Sequence, residues 1–185
     1  MSGVHLPIES QQRLMAIARH TLESVVRRHP LVTPGVDDPH LHEAYGAFVT
    51  LFNQRELRGC IGNCAPERPL FETVMEMTEA AATRDRRMRP VRPEELERIR
   101  IDISVLSPLE RSGNPLALEV GRHGLHVARE GRRAVFLPQV AVEYGWDIKT
   151  FLEQACLKAN LPKDAWSWPD TVVSSFTALV IEEER

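Results

Sequence analysis

The stretch RELRGCIGNC, residues 55 to 64, sets Cys60 two positions after Arg58 and two before Gly62. A thiol close to a guanidinium raises the question of nucleophilic chemistry, because the thiolate is the reactive form and a neighbouring cation favours it. On a strand, side chains alternate between faces, so Arg58, Cys60 and Gly62 point one way and Leu57, Gly59 and Ile61 the other. Gly59 and Gly62 leave room for another backbone or a ligand to approach closely. Two readings follow. In the first, the strand carries a nucleophilic or anion-recognising spot. In the second, Cys60 is a small buried residue, as cysteines often are, and the glycines accommodate a crossing of the sheet. A catalytic cysteine also needs a base, and none is adjacent in sequence.

Other residues allow a bland and a functional reading as well. Cys60 and Cys64 have a C-x3-C spacing, within the range of half a zinc site. A second close ligand pair is missing: Cys156 stands alone, His40 and His42 lie in a polar loop, and His123 and His126 would face opposite sides of a strand. No metal is expected. The run RDRRMRPVR holds Arg84, Arg86, Arg87, Arg89 and Arg92 around Asp85. After a helix it reads either as a solvated turn favoured by the helix dipole or as an anion site of bidentate guanidinium groups. Trp146, Trp166 and Trp168 read as core plugs or as binding platforms. No Walker loop, dinucleotide fingerprint, nucleophile elbow or H-E-x-x-H helix occurs, and no cofactor is expected.

Composition narrows the field. The chain has 185 residues, 43% hydrophobic and 26% charged, which suits one soluble globular domain. A net charge of −3 and few aromatics argue against nucleic acid as a partner. No apolar run approaches the roughly 20 residues that span a bilayer. The opening MSGVHLPIESQQ has neither a basic nor an apolar signal region, so a cytoplasmic location is expected. Three cysteines do not make a disulfide framework. The oligomeric state is not legible.

The elements that must position these residues emerge from periodicity. ESQQRLMAIARHTLESVVRRH predicts an amphipathic helix ending before Pro30. GAFVTLFN, the turn NQRE and LRGCIGN predict a hairpin, and a helix follows with Leu70, Phe71, Val74, Met77 and Ala81 on one side. IRIDISVLS alternates as a half-buried strand. The second half repeats the order: GLHVARE, a turn at Gly131, RRAVFLP, helical stretches over QVAVEYG and DIKTFLEQACLKAN, and the closing strand SFTALVIEE. The first hairpin strand and the closing strand begin near 46 and 101 in one half and near 124 and 175 in the other. The spacing is nearly equal. Such units cannot cover their own sheets, which predicts one α+β domain over 1–185 with lobes at about 8–108 and 115–182. Asp147 is placed to cap the helix 148–159, and Asn160 to end it in a left-handed conformation.

LRGCIG, the block AAATRDRRMRPVRPEELERIRIDISVLSPLE, GRHG, VFLPQVAVEYGWD and FLEQACLKANLPKDAW, in this order, resemble the AMMECR domain family. Its microbial members are often labelled "AmmeMemoRadiSam system protein A". The likeness runs from about residue 8 to 182. It implies a cytosolic domain of two β3α2 repeats sharing one mixed or barrel-like sheet, helices outside, and an association with a Memo-like protein and a radical S-adenosylmethionine (radical-SAM) protein. It assigns no reaction. The matching motif positions are Arg58, Gly59, Cys60, Ile61, Gly62, Asp85, Arg87, His123, Gly124, Leu137, Pro138, Gln139, Trp146 and Asp147. Thr83 and Met88 depart from aromatic positions of the family pattern, and Asn160 from a glycine.

The expected function is therefore an accessory component that binds a partner or a small anionic ligand. Arg58, Gly59, Gly62, Asp85, Arg87 and Gln139 are its candidate ligand-binding residues. The alternative is an enzyme with Cys60 as nucleophile and His123 as base.

Overall fold

The computed structural model describes residues 3–184 except Pro34 and Pro66. The chain divides into two compact units. The first comprises residues 4–106 and the segment from Leu179 onward, and the second comprises chiefly residues 107–178.

In the first unit, helix α1 (Ile8–Val26) buries Leu14, Ala18, Leu22 and Val26, four-residue steps that form one stripe. It starts directly after Pro7, whose fixed φ suits a helix entrance. It ends at Arg27, followed by left-handed Arg28 two residues before Pro30. Strands β1 (Gly46–Asn53) and β2 (Glu56–Asn63) form the expected hairpin, turned at Gln54 with φ of 60°. Helix α2 (Leu70–Thr83) and strand β3 (Ile99–Leu106) follow. Ala47, Val49 and Leu51 of β1 alternate with Phe48, Thr50 and Phe52. The first set is fully buried with Ile101 and Ile103 of β3 and the apolar stripes of α1 and α2. The opposite face carries the polar positions Thr50, Cys60, Asp102 and Ser104, since Thr50 pairs directly with Cys60 on one side and Asp102 on the other.

In the second unit a two-residue strand β4 (Glu110–Arg111) precedes β5 (Gly124–Arg129) and β6 (Arg132–Phe136). Glu130 and Gly131 both have positive φ, 50° and 78°, the backbone that a tight two-residue hairpin requires. Helices α3 (Pro138–Glu143) and α4 (Ile148–Lys158) cover this sheet. Leu125, Val127, Phe151, Leu152 and Ala155 fill its core. The Asp147 carboxylate accepts the Thr150 N–H at 2.7 Å, and Asn160 has φ of 55°. Both expected helix ends are present.

The closing segment departs from expectation. SFTALVIEE is two strands, β7 (Val172–Phe176) and β8 (Ala178–Glu182), interrupted at Thr177. β7 lies in the sheet ordered β4-β7-β5-β6, and β8 in the sheet ordered β2-β1-β3-β8. The α+β repeat thus resolves into two open four-stranded antiparallel sheets, where the resemblance implied one shared barrel-like sheet. The break coincides with a contact distant in sequence. Ser107 and Thr177 pair by the Ser107 N–H donating to the Thr177 carbonyl at 2.9 Å, and the Thr177 N–H is taken by the Ser107 hydroxyl at 2.9 Å, which ends the regular ladder.

β8 brings Glu183 to the first unit. Its carboxylate pairs with Arg19 of α1 and accepts the Ile101 N–H at 3.1 Å. Arg19 also donates to the Ile99 carbonyl at 2.8 Å. Both side chains are largely buried, and such a pair is tolerable because hydrogen bonds satisfy both ions. No helix among the described residues is long and apolar enough to cross a membrane.

Candidate functional site

Cys60 sits mid-strand on β2, half-buried and unbridged. β2 is an edge strand, and its ladder with β1 shifts register between Leu51 and Phe52: Leu51 faces Gly59, Phe52 faces Leu57, and Arg58 has no partner. Arg58 is thus the extra residue of a β-bulge, a device that re-aims a side chain. Its guanidinium reaches Glu95 through Nε at 2.7 Å and Nη2 at 2.9 Å, and donates to the carbonyls of Arg89 at 2.7 Å and Pro90 at 3.1 Å. Glu95 also accepts the Arg92 N–H at 2.8 Å, which fixes the short turn Pro93–Arg98. Arg58 is therefore committed to holding the segment 89–95. The Glu95 carboxylate that grips it raises its pKa, and Arg58 in turn lowers that of Glu95.

The outward backbone groups of Cys60 meet a different partner. Its N–H donates to Asp85 Oδ2 at 2.9 Å, and its carbonyl accepts from Arg87 Nη2 at 3.1 Å. Asp85 and Arg87 bind each other through Nε–Oδ1 at 3.0 Å and Nη2–Oδ2 at 2.7 Å, with the Arg87 N–H adding a bond to Oδ1 at 3.1 Å. One acceptor and one donor thus face the edge of β2 as a further strand would. The Asp85 side chain is only 3% exposed, that of Arg87 59%. The guanidinium of Arg87 and the N–H of Cys60 hold the Asp85 carboxyl well below the usual carboxylate range, against the opposing effect of burial. Asp85 raises the pKa of Arg87 in turn.

On the strand face, Thr50 Oγ1 donates to Cys60 Sγ at 3.3 Å. Next along the row, Asp102 pairs with Arg100 at 3.4 Å, and Arg100 lies over the Phe52 ring at 5.3 Å. Asp102 Oδ1 and Arg100 Nε are buried without partners among the described residues. Burial pushes the Asp102 carboxyl up.

Both motif glycines have packing explanations. A Cβ on Gly59 would stand 2.2 Å from the Ala81 carbonyl oxygen, so α2 crosses the strand there against bare backbone. A Cβ on Gly62 would stand 2.2 Å from the Phe48 ring. The second unit repeats the device: Gly124, opposite Phe176, has that ring at 2.3 Å from a built Cβ.

His123 and Gln139 belong to the second unit. His123 is buried in the turn ahead of β5, and its Nδ1 accepts the Glu119 N–H at 3.0 Å. The neutral ring therefore carries its proton on Nε2. Gln139 is the second residue of α3 and half-buried. Trp146 stacks on Tyr144 at 4.7 Å and packs edge-on to Phe136, as a core plug does. Among the described residues no group of three or more His, Cys, Asp or Glu is placed to hold a metal. Sequence reasoning missed Thr50, Glu95 and Asp102. The signal for Glu95 was its place three residues after Arg92, where a carboxylate can reach back to an N-terminal N–H. Thr50 and Asp102 follow only from strand register.

An α+β protein of two sheet-and-helix units, with an LRGCIG edge strand strapped by an Asp–Arg pair, is the class defined by these features. The AMMECR1 family model matches residues 15–181, and the chain belongs to that family. It is 43% identical over 182 residues to Protein TK0174 of Thermococcus kodakarensis, covering 92% of this chain and 89% of the relative. It is 41% identical over 192 residues to Protein MK0488 of Methanopyrus kandleri, covering 99% and 93%. The crystal structure of PH0010 from Pyrococcus horikoshii is similar with a TM-score of 0.90 and 38% identity, over 97% of this chain and 94% of that one.

Proposed function

We propose that the chain is a binding component of a modification system built from a Memo-like protein and a radical-SAM enzyme, with the strapped β2 edge as its recognition surface. The observation that carries this reading is the division of labour between two arginines. Arg58 is consumed by Glu95 and two carbonyls, whereas Arg87 uses Nε and Nη2 inward and keeps Nη1 on a side chain 59% exposed. A guanidinium fixed along one edge and open at the other suits a carboxylate or phosphate of a partner or small ligand. The surface is preorganised, which lowers the cost of binding. The test is affinity purification of tagged wild type and Arg87→Glu from the native cell. Wild type recovers a Memo-like protein and a radical-SAM enzyme, and the variant recovers less. Repeated failure of wild type to recover either sinks the proposal.

A second reading makes Cys60 a nucleophile toward a small anionic substrate. It is favoured by the hydrogen bond from Thr50 to the sulfur, which fixes the thiol on an accessible strand face. Alkylation of Cys60 measured against pH separates the two readings. A profile like that of an ordinary thiol, near pKa about 8.5, or no reaction in the folded protein, removes the nucleophile.

A further inference from the structure

The second unit holds a cavity of about 560 Å³ lined by Arg111, Ser112, Pro115, Trp166, Trp168 and Thr171, with neighbouring backbone. Its volume lies in the range of sites for drug-sized molecules, roughly 300 to 1,000 Å³. The lining combines three features. Two indoles are half-buried, each anchored on its core side, which leaves ring surface toward the cavity. The Trp168 ring is held in place by Arg129 over one face at 4.6 Å and by its Nε1 donating to Asp164 at 3.3 Å. Arg129 is itself fixed by Asp170 at 2.7 Å. Trp166 rides on the short turn Ala165–Ser167, whose first residue is fully buried.

The second feature is Thr171. The residue is 7% exposed, its N–H is taken by the Trp168 carbonyl at 3.1 Å, and its hydroxyl has no partner among the described residues. A buried hydroxyl without a partner is costly, and a ligand atom that satisfies it recovers that cost. The third is Arg111, an exposed β4 residue with no ion pair or hydrogen bond from its guanidinium among the described residues. Ring platforms, a buried hydroxyl and an unpaired cation along one cavity describe a specific ligand chemistry.

We infer that this cavity binds a planar heteroaromatic ring bearing an anionic group. The ring stacks on the tryptophans, a ring or sugar polar atom meets the Thr171 hydroxyl, and the anion pairs with Arg111. The inference is independent of the β2 edge. Stacking on aromatic side chains contributes without demanding one ring identity. The anion is a phosphate, as in a mononucleotide, or a carboxylate, as in a pyridine carboxylate.

The chain has three tryptophans and two of them line the cavity, so indole fluorescence reports occupancy directly. Purified full-length protein is titrated with adenosine 5′-monophosphate, nicotinate, ribose 5-phosphate and inorganic phosphate. Saturable quenching by the nucleotide alone assigns the phosphate source, and by nicotinate alone the carboxylate source. Arg111→Gln, at an exposed position, is expected to weaken the binding ligand about tenfold, and Thr171→Val about fivefold, the scale of one charged and one neutral hydrogen bond. If Thr171→Val fails to fold, Arg111→Gln alone decides. The inference is overturned if neither ring compound quenches saturably, if ribose 5-phosphate binds as well as the nucleotide, or if Arg111→Gln binds unchanged.

Discussion

Replacing Asp85 by Asn removes one charge and little volume, and isolates what the strap contributes. The carboxylate accepts from the Cys60 N–H, the Arg87 N–H, Arg87 Nε and Arg87 Nη2. An asparagine oxygen at the Oδ1 position keeps the Arg87 N–H and Nε bonds. Its NH2 group then faces two donors, the Cys60 N–H and Nη2, and both bonds are lost. A neutral hydrogen bond contributes about 0.5 to 1.5 kcal/mol and one to a charged group about 1.5 to 3. Because Arg87 is exposed, its freed N–H turns to water, so the low end of the charged figure applies. Both lost bonds end on the ionised carboxylate, so the expected loss is about 3 to 4.5 kcal/mol at pH 7.

The pH dependence has a definite sign. The folded carboxyl lies below its unfolded value, so the stabilisation is complete above pH about 4 and is lost as pH falls through the folded value. Asparagine does not titrate. The difference between wild type and Asp85→Asn in urea unfolding is therefore flat from pH 7 to 5 and shrinks below about pH 4. Hydrogen exchange at the Cys60 amide accelerates in the variant. A difference under about 0.5 kcal/mol at pH 7, below the net value of a single hydrogen bond, or one that does not shrink in acid, refutes the account of the strap.

Gly59→Ala is expected to cost about 1 to 3 kcal/mol in urea unfolding, as overpacking does, because the Ala81 carbonyl can move only with α2. Gly62→Ala meets the Phe48 ring, which can tilt, so it costs less. Equal losses would place the tight contact elsewhere. Arg58→Lys keeps the charge but not the planar fork to Glu95 and the two carbonyls, and is expected to destabilise by about 1 to 3 kcal/mol. The alkylation profile of Cys60 stays unchanged if Arg58 serves only Glu95. Burial, and secondarily Arg133, lowers the pKa of His126. An NMR titration is expected to find its midpoint below about 6.5 and to see it rise in Arg133→Gln, since a facing cation is removed.

The hairpin of β1 and β2 was legible because alternation and the N-Q-R-E turn agree with one another, and α4 because its cap and left-handed exit are both local signals. The break at Thr177 was not: SFTALVIEE alternates without interruption, and what divides it is a hydroxyl of Ser107 far away in sequence. The site was legible in its members more than in their roles. Strand alternation puts Arg58 beside Cys60, but a bulge depends on the register of both strands, and here it turns Arg58 to Glu95. Asp85 among five arginines reads as one more solvated charge. Its burial follows from where α2 ends relative to the β2 edge, a tertiary fact with no local pattern.

The division of the closing segment bears on the order in which the protein takes shape during synthesis. Residues 107–178, which make up nearly all of one unit, are a continuous length of chain, so that stretch can fold as soon as it leaves the ribosome. The other unit begins first yet finishes last, because β8 and Glu183 reach it only after the second unit has been made, and Glu183 must find Arg19 across 164 residues. Closing so long a loop is slow relative to local contacts. Until then the β3 edge lacks its neighbour and α1 its ion pair. The earlier-made half therefore waits on the later one.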